Sequence, residues 1–342
     1  MPKQRHYILD IGRIIAVLAV MLYHYFTGHI NDVPYGDCYS ILPFGYLGAR
    51  YFFILTGFFI YENLQKKDTL LLFWRKKFIR LWIPLVICSM VTFVFAHLMS
   101  TVYSALPYQQ TLSWKNLLFS CTFLEPGTIN LLLDTDFRYI NGGYWFLSAE
   151  IEFLVIISLC YYIKREWFFP IYGSVSLLCV LANHWTHALV YTDYLQYFIW
   201  GMIFYLWYNR SPQKIWWLLP SAITPLLIDL IKEIKPEHLY ILIILLLWAL
   251  YVTIGNRINL STDKLAKISQ LSKGVYETFL LHEVIGILCI HQYAPLFGTY
   301  MWILPIMLIA ALFPIGALVH RLNQFLINRV SRFYGRGLIS NL

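Results

Sequence analysis

The 342-residue sequence predicts an all-α, polytopic integral membrane protein with about ten transmembrane helices and both termini in the cytosol. Three observations carry that fold class. Hydrophobic residues make up 59% of the chain and charged residues only 13%, against roughly 45–50% and about 25% in soluble domains. The mean hydropathy is +0.60. Apolar runs recur along the whole chain, many of them near the ~20 residues a spanning helix needs. Disorder, coiled coil and collagen are excluded, and the composition argues against a soluble single-core enzyme. A net charge of +8 would suggest nucleic acid in a soluble protein. Here the basic residues lie between apolar runs, so they read as topology signals and no nucleic-acid partner is expected.

The elements follow in order. The first span, 8–28, comes after a basic segment, Met1 to Tyr7, with no small-residue cleavage site behind its apolar run. That segment reads as the cytosolic start of a helix, not a removed signal. The second span is 45–62, and the third, 80–99, is entered through a basic cluster. The fourth, 143–163, opens on the Gly142-Gly143 pair. The remaining runs are 168–185, 194–208, 214–231, 238–254, 274–292 and 299–320. An even number places both termini on one side. With that side cytosolic, its loops collect 20 of the 26 lysines and arginines, five fall opposite, and Arg13 lies inside the first span. Such asymmetry fixes orientation. The longest loop, about 100–142, lies outside and holds a weak apolar stretch, Leu117 to Leu124, too short to span. A second polar stretch, 255–273, is cytosolic. The chain ends about 22 residues after the last span, so one membrane domain over 1–342 is expected, with no appended soluble domain.

Cysteines do not form a disulfide scaffold in a chain this long. Cys88, Cys160, Cys179 and Cys289 fall in apolar runs as small hydrophobes. Cys38 and Cys121 fall outside the membrane and stay open as a disulfide in an oxidising compartment or, more simply, as two free thiols.

Ionisable residues within spans are costly and usually face a cavity or a partner, which makes them the functional candidates. The first span reads Asp10-Ile-Gly-Arg13, then ten residues, then His24. Eleven helical positions end about 20° past three full turns, so Arg13 and His24 share a face about 16 Å apart along the axis. Taken alone, the plainer reading has Arg13 salt-bridged to Asp10 and snorkelling to headgroups, with His24 interfacial. The fourth span runs inward and carries Trp145 and Glu150 near its outer end. Glu150 and His24 can therefore meet, and a carboxylate beside an imidazole fixes its tautomer and raises its basicity. The alternative leaves Glu150 in an outer vestibule. Before the third span, Lys76, Lys77 and Arg80 crowd one side of a helix, suited to anionic lipid or to a phosphorylated ligand. The ninth span contains Tyr276, Glu277, His282 and Glu283, where hydrogen bonding between helices is the plain alternative. There is no HExxH or CxxC spacing, no phosphate-binding glycine loop and no GxSxG elbow, so no metal is expected and ATPase or soluble-esterase chemistry lacks support.

Together these stretches resemble the membrane acyltransferase-3 family, whose bacterial members acylate cell-surface sugars. The resemblance rests on five motifs in order. They are Asp10, Arg13 and His24; the run from Gly45 to Phe58; Lys76, Lys77 and Arg80 before Ile83-Pro84; Trp145 to Glu150 and Phe153; and Tyr276 to His282. Ile14, Phe146 and the two lysines depart from the commonest family residues. The resemblance implies acetyl-coenzyme A as cytosolic donor and a sugar hydroxyl of a surface or lipid-linked polysaccharide, such as O antigen, as acceptor. It implies His24 as general base, oriented by Glu150. Direct transfer and relay through an acyl-histidine both remain open. Arg13, Lys76, Lys77, Arg80, Tyr276 and His282 would bind the donor, with Asp10 and Trp145 in support. The chain resembles the short family members that lack a fused esterase-like domain, placed in a bacterial inner membrane. An exporter of polysaccharide or lipid-linked sugar is the competing class. The Arg13–His24 register argues against it, because transport needs no base in line with a phosphate-binding arginine. A glycosyltransferase or polymerase would show acidic pairs or an Arg-rich outer loop, whereas the loop 100–142 carries only Lys115 and Arg138.

Overall fold

A computed structural model describes residues 7–66, 69–186, 191–254, 267–268 and 270–333, in which helices dominate and no strand occurs. The helices are α1 (Tyr7–Tyr23), α2 (Gly48–Leu64), α3 (Leu70–Val102), α4 (Trp114–Ser120), α5 (Pro126–Leu133), α6 (Trp145–Ile163), α7 (Phe168–Thr186), α8 (Thr192–Tyr208), α9 (Leu219–Lys232), α10 (Pro236–Ile254), α11 (Val275–Tyr293) and α12 (Ile303–Phe333). Six described segments are long and apolar enough to cross a membrane: Tyr7–Gly28, Leu70–Val102, Gly142–Ile163, Pro236–Ile254, Val275–Tyr300 and Ile303–Val330. The chain is an all-α, multi-pass membrane protein. The terminal residues, Lys67 and most of the polar stretch 255–273 lie outside the described residues, as does their expected cytosolic placement.

Several boundaries differ from the sequence reading for identifiable reasons. The third span begins at Leu70, so α3 is 33 residues long and takes in the whole basic cluster. Lysine and arginine are good helix formers, and no breaker separates Leu70 from Pro84. The expected span 214–231 is α-helical only from Leu219, because a tighter turn over Pro212–Trp217 precedes it. The last span starts at Ile303, after a turn holding Gly298 at φ 55°, and continues to Phe333.

The described chain forms two compact units. One draws on Met1–Ala16, Leu47–Phe73 and Ala149–Ala266. Within it α2 lies along α8 with their backbones almost touching. A Cβ at Gly57 would come within 1.9 Å of the Phe198 carbonyl, and one at Gly201 within 1.9 Å of the Ile54 carbonyl. Small residues at a crossing are what allow such an approach between membrane helices. Aromatic rings fill the rest, with Phe53 against Phe153 at 5.4 Å and Phe58 against Trp248 at 5.5 Å. In the same unit the Arg13 guanidinium donates to Asp10 at 2.9 Å, the i, i+3 pair expected from the sequence.

The other unit draws on Val17–Tyr46, Trp74–Ser148 and Lys267–Leu342. Its centre is α11, buried from Val275 through Leu281 except at Tyr276, and it carries the buried polar residues Glu277, Thr278, His282 and Glu283. Helix α12 packs alongside. The polar connection after α3, expected as a loop, is ordered by asparagines. Asn116 accepts from the Arg138 amide at 3.1 Å and donates to the Thr111 carbonyl at 3.0 Å. Asn130 likewise binds both backbone groups of Phe137. Asn141 donates to the Leu280 carbonyl of α11 at 2.9 Å while capping the Gly143 amide at 3.0 Å. The start of the Gly142–Ile163 segment is thereby pinned to α11. Cys38 and Cys121, both in this unit, carry free thiols.

Candidate active site

The first span does not stay α-helical to residue 28. It opens into a wide π-type turn over His24–Gly28, a feature concentrated at functional sites because it redirects side chains. Tyr25 and Phe26, fully buried, anchor the turn in the core of the second unit. The Tyr25 hydroxyl donates to the His282 carbonyl at 2.8 Å. His29 follows the turn, and the amides of Asp32 and Val33 donate back to its carbonyl at 2.9 and 3.2 Å.

The residues so placed form a cluster of three imidazoles and a carboxylate. Nδ1 of His24 lies 3.0 Å from Nε2 of His29, and the two rings stack at 5.1 Å. The His282 ring stands edge-on to His24, also at 5.1 Å. Oε1 of Glu283 is 3.4 Å from Nε2 of His29. The Glu283 carboxylate rests against the Gly142-Gly143 backbone, where a Cβ at Gly142 would meet it at 2.5 Å. The absence of a side chain at Gly142 is what makes room for the acid.

Tautomers follow from the partners. Nδ1 of His282 lies 2.6 Å from the Phe279 carbonyl and must be its donor, so neutral His282 bears a lone pair on Nε2. That nitrogen is buried and has no hydrogen-bond partner among the described residues. A buried acceptor left without a partner is costly, and a substrate donor would satisfy it. His29 lies just beyond the first membrane segment, with a side chain 17% exposed. Burial opposes its charge, but the hydrogen bond and charge of Glu283, and then those of Asp32, outweigh burial and raise its pKa above the ordinary histidine range. Burial, reinforced by Glu283 and Asp32, holds the Tyr108 hydroxyl well above the usual tyrosine range, so it stays protonated 3.2 Å from Nδ1 of His29.

The sequence-predicted residues distribute as follows. His24 and His282 come together, their rings 5.1 Å apart. Trp145 is half-buried at the start of α6. Arg80 is exposed on α3, with Lys76 and Lys77 half-buried one turn earlier and Tyr276 half-buried at the start of α11. Arg13, Asp10 and Glu150 belong to the first unit, Asp10 and Glu150 being buried there. Two carboxylates of the second unit touch the imidazoles, Glu283 at 3.4 Å and Asp32 at 3.1 Å from His29. Sequence reasoning had noticed Glu283 only as part of an unusual His-Glu pair, and it passed over His29, Tyr108 and Asn141. A second imidazole five positions after the first, at the mouth of the same span, was the available signal.

His24, His29 and Glu283 each bring a ligand atom within 4.8 Å of the others. A divalent ion would find three ligands there, from positions too scattered to form a sequence motif.

A family model described as an acyltransferase domain matches residues 6–320. Neither curated proteins nor solved structures give a match to this chain.

Proposed function

We infer the reaction from one premise: the chain belongs to the acyltransferase-3 family, matched over residues 6–320. It is a multi-pass membrane acyltransferase. We propose that the donor is cytosolic acetyl-coenzyme A, that the acceptor is a sugar hydroxyl of a surface or lipid-linked polysaccharide such as O antigen, and that the protein works in a bacterial inner membrane.

The observation that supports this reading is the His24 ring, held between His29 and His282 beside Glu283. With Nδ1 of His24 committed to His29, Nε2 is the nitrogen left to meet substrate. It takes the proton of the acceptor hydroxyl as the oxygen attacks the thioester carbonyl. The carbon–sulfur bond breaks, coenzyme A leaves as thiolate, and the thiolate takes up the proton held by the imidazolium. Nε2 of His282 accepts a hydrogen from a substrate donor. Arg13, Lys76, Lys77 and Arg80 are the candidate cations for the coenzyme's phosphates, and Tyr276 is a further candidate for the donor. Asp10 holds Arg13, and Trp145 stands at the start of α6.

Mass spectrometry and NMR of surface glycans from cells with and without the gene test this. Loss of acetyl esters from an otherwise intact glycan is the expected result. Unchanged acetylation with the glycan missing from the surface would replace acyl transfer by export.

A further inference from the structure

His29 is held from behind by a carboxylate. Its Nδ1 is 3.1 Å from Oδ2 of Asp32, and an ionised carboxylate only accepts, so Nδ1 carries a hydrogen. Neutral His29 then turns the lone pair of Nε2 toward Nδ1 of His24, 3.0 Å away, and Oε1 of Glu283, 3.4 Å away. A carboxylate on the far nitrogen of an imidazole is the common outer partner in metal sites, because it fixes the tautomer and raises the basicity of the ring. The three facing atoms all lie within 4.8 Å of one another. A tetrahedral zinc ion with bonds of ~2.0–2.1 Å sets its ligand atoms roughly 3.3–3.4 Å apart, close to the spacing found.

Buried acceptors beside these atoms also lack partners among the described residues: Oε2 of Glu283, and Nε2 of His282 one residue earlier. Glu283 is only 5% exposed, and a buried carboxylate oxygen left unpaired is costly, a cost that a cation against it removes. Two imidazoles and one carboxylate suit zinc, cobalt, nickel or copper, whereas magnesium and calcium take sets of oxygens.

We propose that His24, His29 and Glu283 bind a divalent transition-metal ion of the zinc type, and that the bound ion blocks acyl transfer. The block rests on the reading of His24 as the base. Coordination through Nδ1 uses that lone pair, so neutral His24 must carry its hydrogen on Nε2. Nε2 then only donates, and it takes no proton from an acceptor hydroxyl. The hydrogen on Nδ1 of His24 passes to Nε2 as the ion enters, so the histidines lose no proton. The side chains of Asp32 and His29 are 39% and 17% exposed, which gives the ion a way in. A fourth position remains for water.

The test uses full-length protein in detergent, freed of any affinity tag, treated with chelator, and titrated with cobalt(II) and then zinc. The visible absorption bands of tetrahedral cobalt should appear at one ion per chain and vanish as zinc displaces it. His29→Ala and Glu283→Gln should each lose the bands while still melting cooperatively. Asp32→Asn keeps all three ligands and should weaken zinc binding roughly 10–100-fold, which tests the site even where the other two variants fail to fold. Bands absent from the parent, or unchanged in every folded variant, would overturn the site. Transfer from radiolabelled acetyl-coenzyme A to extracted lipid-linked glycan tests the block on the same samples. One equivalent of zinc should lower it about 10²-fold or more, the share of a general base, and EDTA should restore it. Undiminished transfer by protein whose cobalt bands confirm the site would overturn the block. An active His24→Ala would then trace that failure to the base reading, and an inactive one to the tautomer argument.

Discussion

The Tyr25 hydroxyl reaches the backbone carbonyl of His282 at 2.8 Å, across 257 residues of sequence. That bond ties the turn bearing His24 to the helix bearing His282 and Glu283, and the Tyr25 ring fits against Gly286 one turn further along α11. A Cβ at Gly286 would lie 2.1 Å from the hydroxyl and 2.3 Å from the ring carbon beside it.

Gly286→Ala should therefore overpack a fully buried contact and destabilise the protein by about 1–3 kcal/mol. The readout is thermal unfolding of the purified protein in detergent. Tyr25→Phe, which frees the carbonyl but keeps the ring, should cost about 1 kcal/mol. A melting temperature for Gly286→Ala at or above that of the parent would show that the turn and α11 separate easily.

His24→Ala should lower acetyl transfer by about 10²–10⁴-fold, the range a general base contributes. Insertion and accumulation should be normal, because His24 is only half-buried. Acetylated glycan in cells and protein level in membranes are measured together. Near-normal acetylation by a well-accumulated variant removes His24 from the reaction.

Arg13→Ala and Arg80→Ala should each weaken acetyl-coenzyme A binding by roughly 1.5–3 kcal/mol, the worth of a charge-assisted phosphate contact. The Arg80 change should leave stability untouched, since that side chain is exposed. Arg13→Ala also removes the ion pair at Asp10, which is 4% exposed, so Asp10→Asn with Arg13 intact is the control that separates binding from folding. Calorimetric titration gives the affinities. Unchanged affinity in both arginine variants would return these cations to lipid headgroups.

Nearer the start of α11, Oε1 of Glu277 accepts from Asn323 and from His320, each at 2.9 Å. Glu277 is 2% exposed and Asn323 fully buried. Asn323→Ala removes one donor from a buried carboxylate and should cost about 1–3 kcal/mol. Glu277→Gln, which keeps an acceptor but not the charge, should cost less than Asn323→Ala. Melting in detergent ranks them, and equal melting of all three proteins would mean the cluster adds nothing to the pairing of α11 with α12.

Composition and apolar periodicity were enough to read the all-α membrane class and to place helices on each of the ten apolar runs, because a bilayer demands long hydrophobic segments whatever their packing. The Arg13–Asp10 pair was legible for a similar reason: both partners sit on one turn of one helix. The cluster around His24 was not. Glu283 looks like any other acid within a span, and only the course of the backbone brings it to the imidazoles. Asn141 clasps α11, Gly142 leaves space for the acid, and a π-type turn at residues 24–28 redirects the end of a helix that periodicity draws as straight. Sequence periodicity describes one helix at a time, whereas this site is made where a turn, a capping asparagine and a buried helix from distant parts of the chain come within hydrogen-bonding distance.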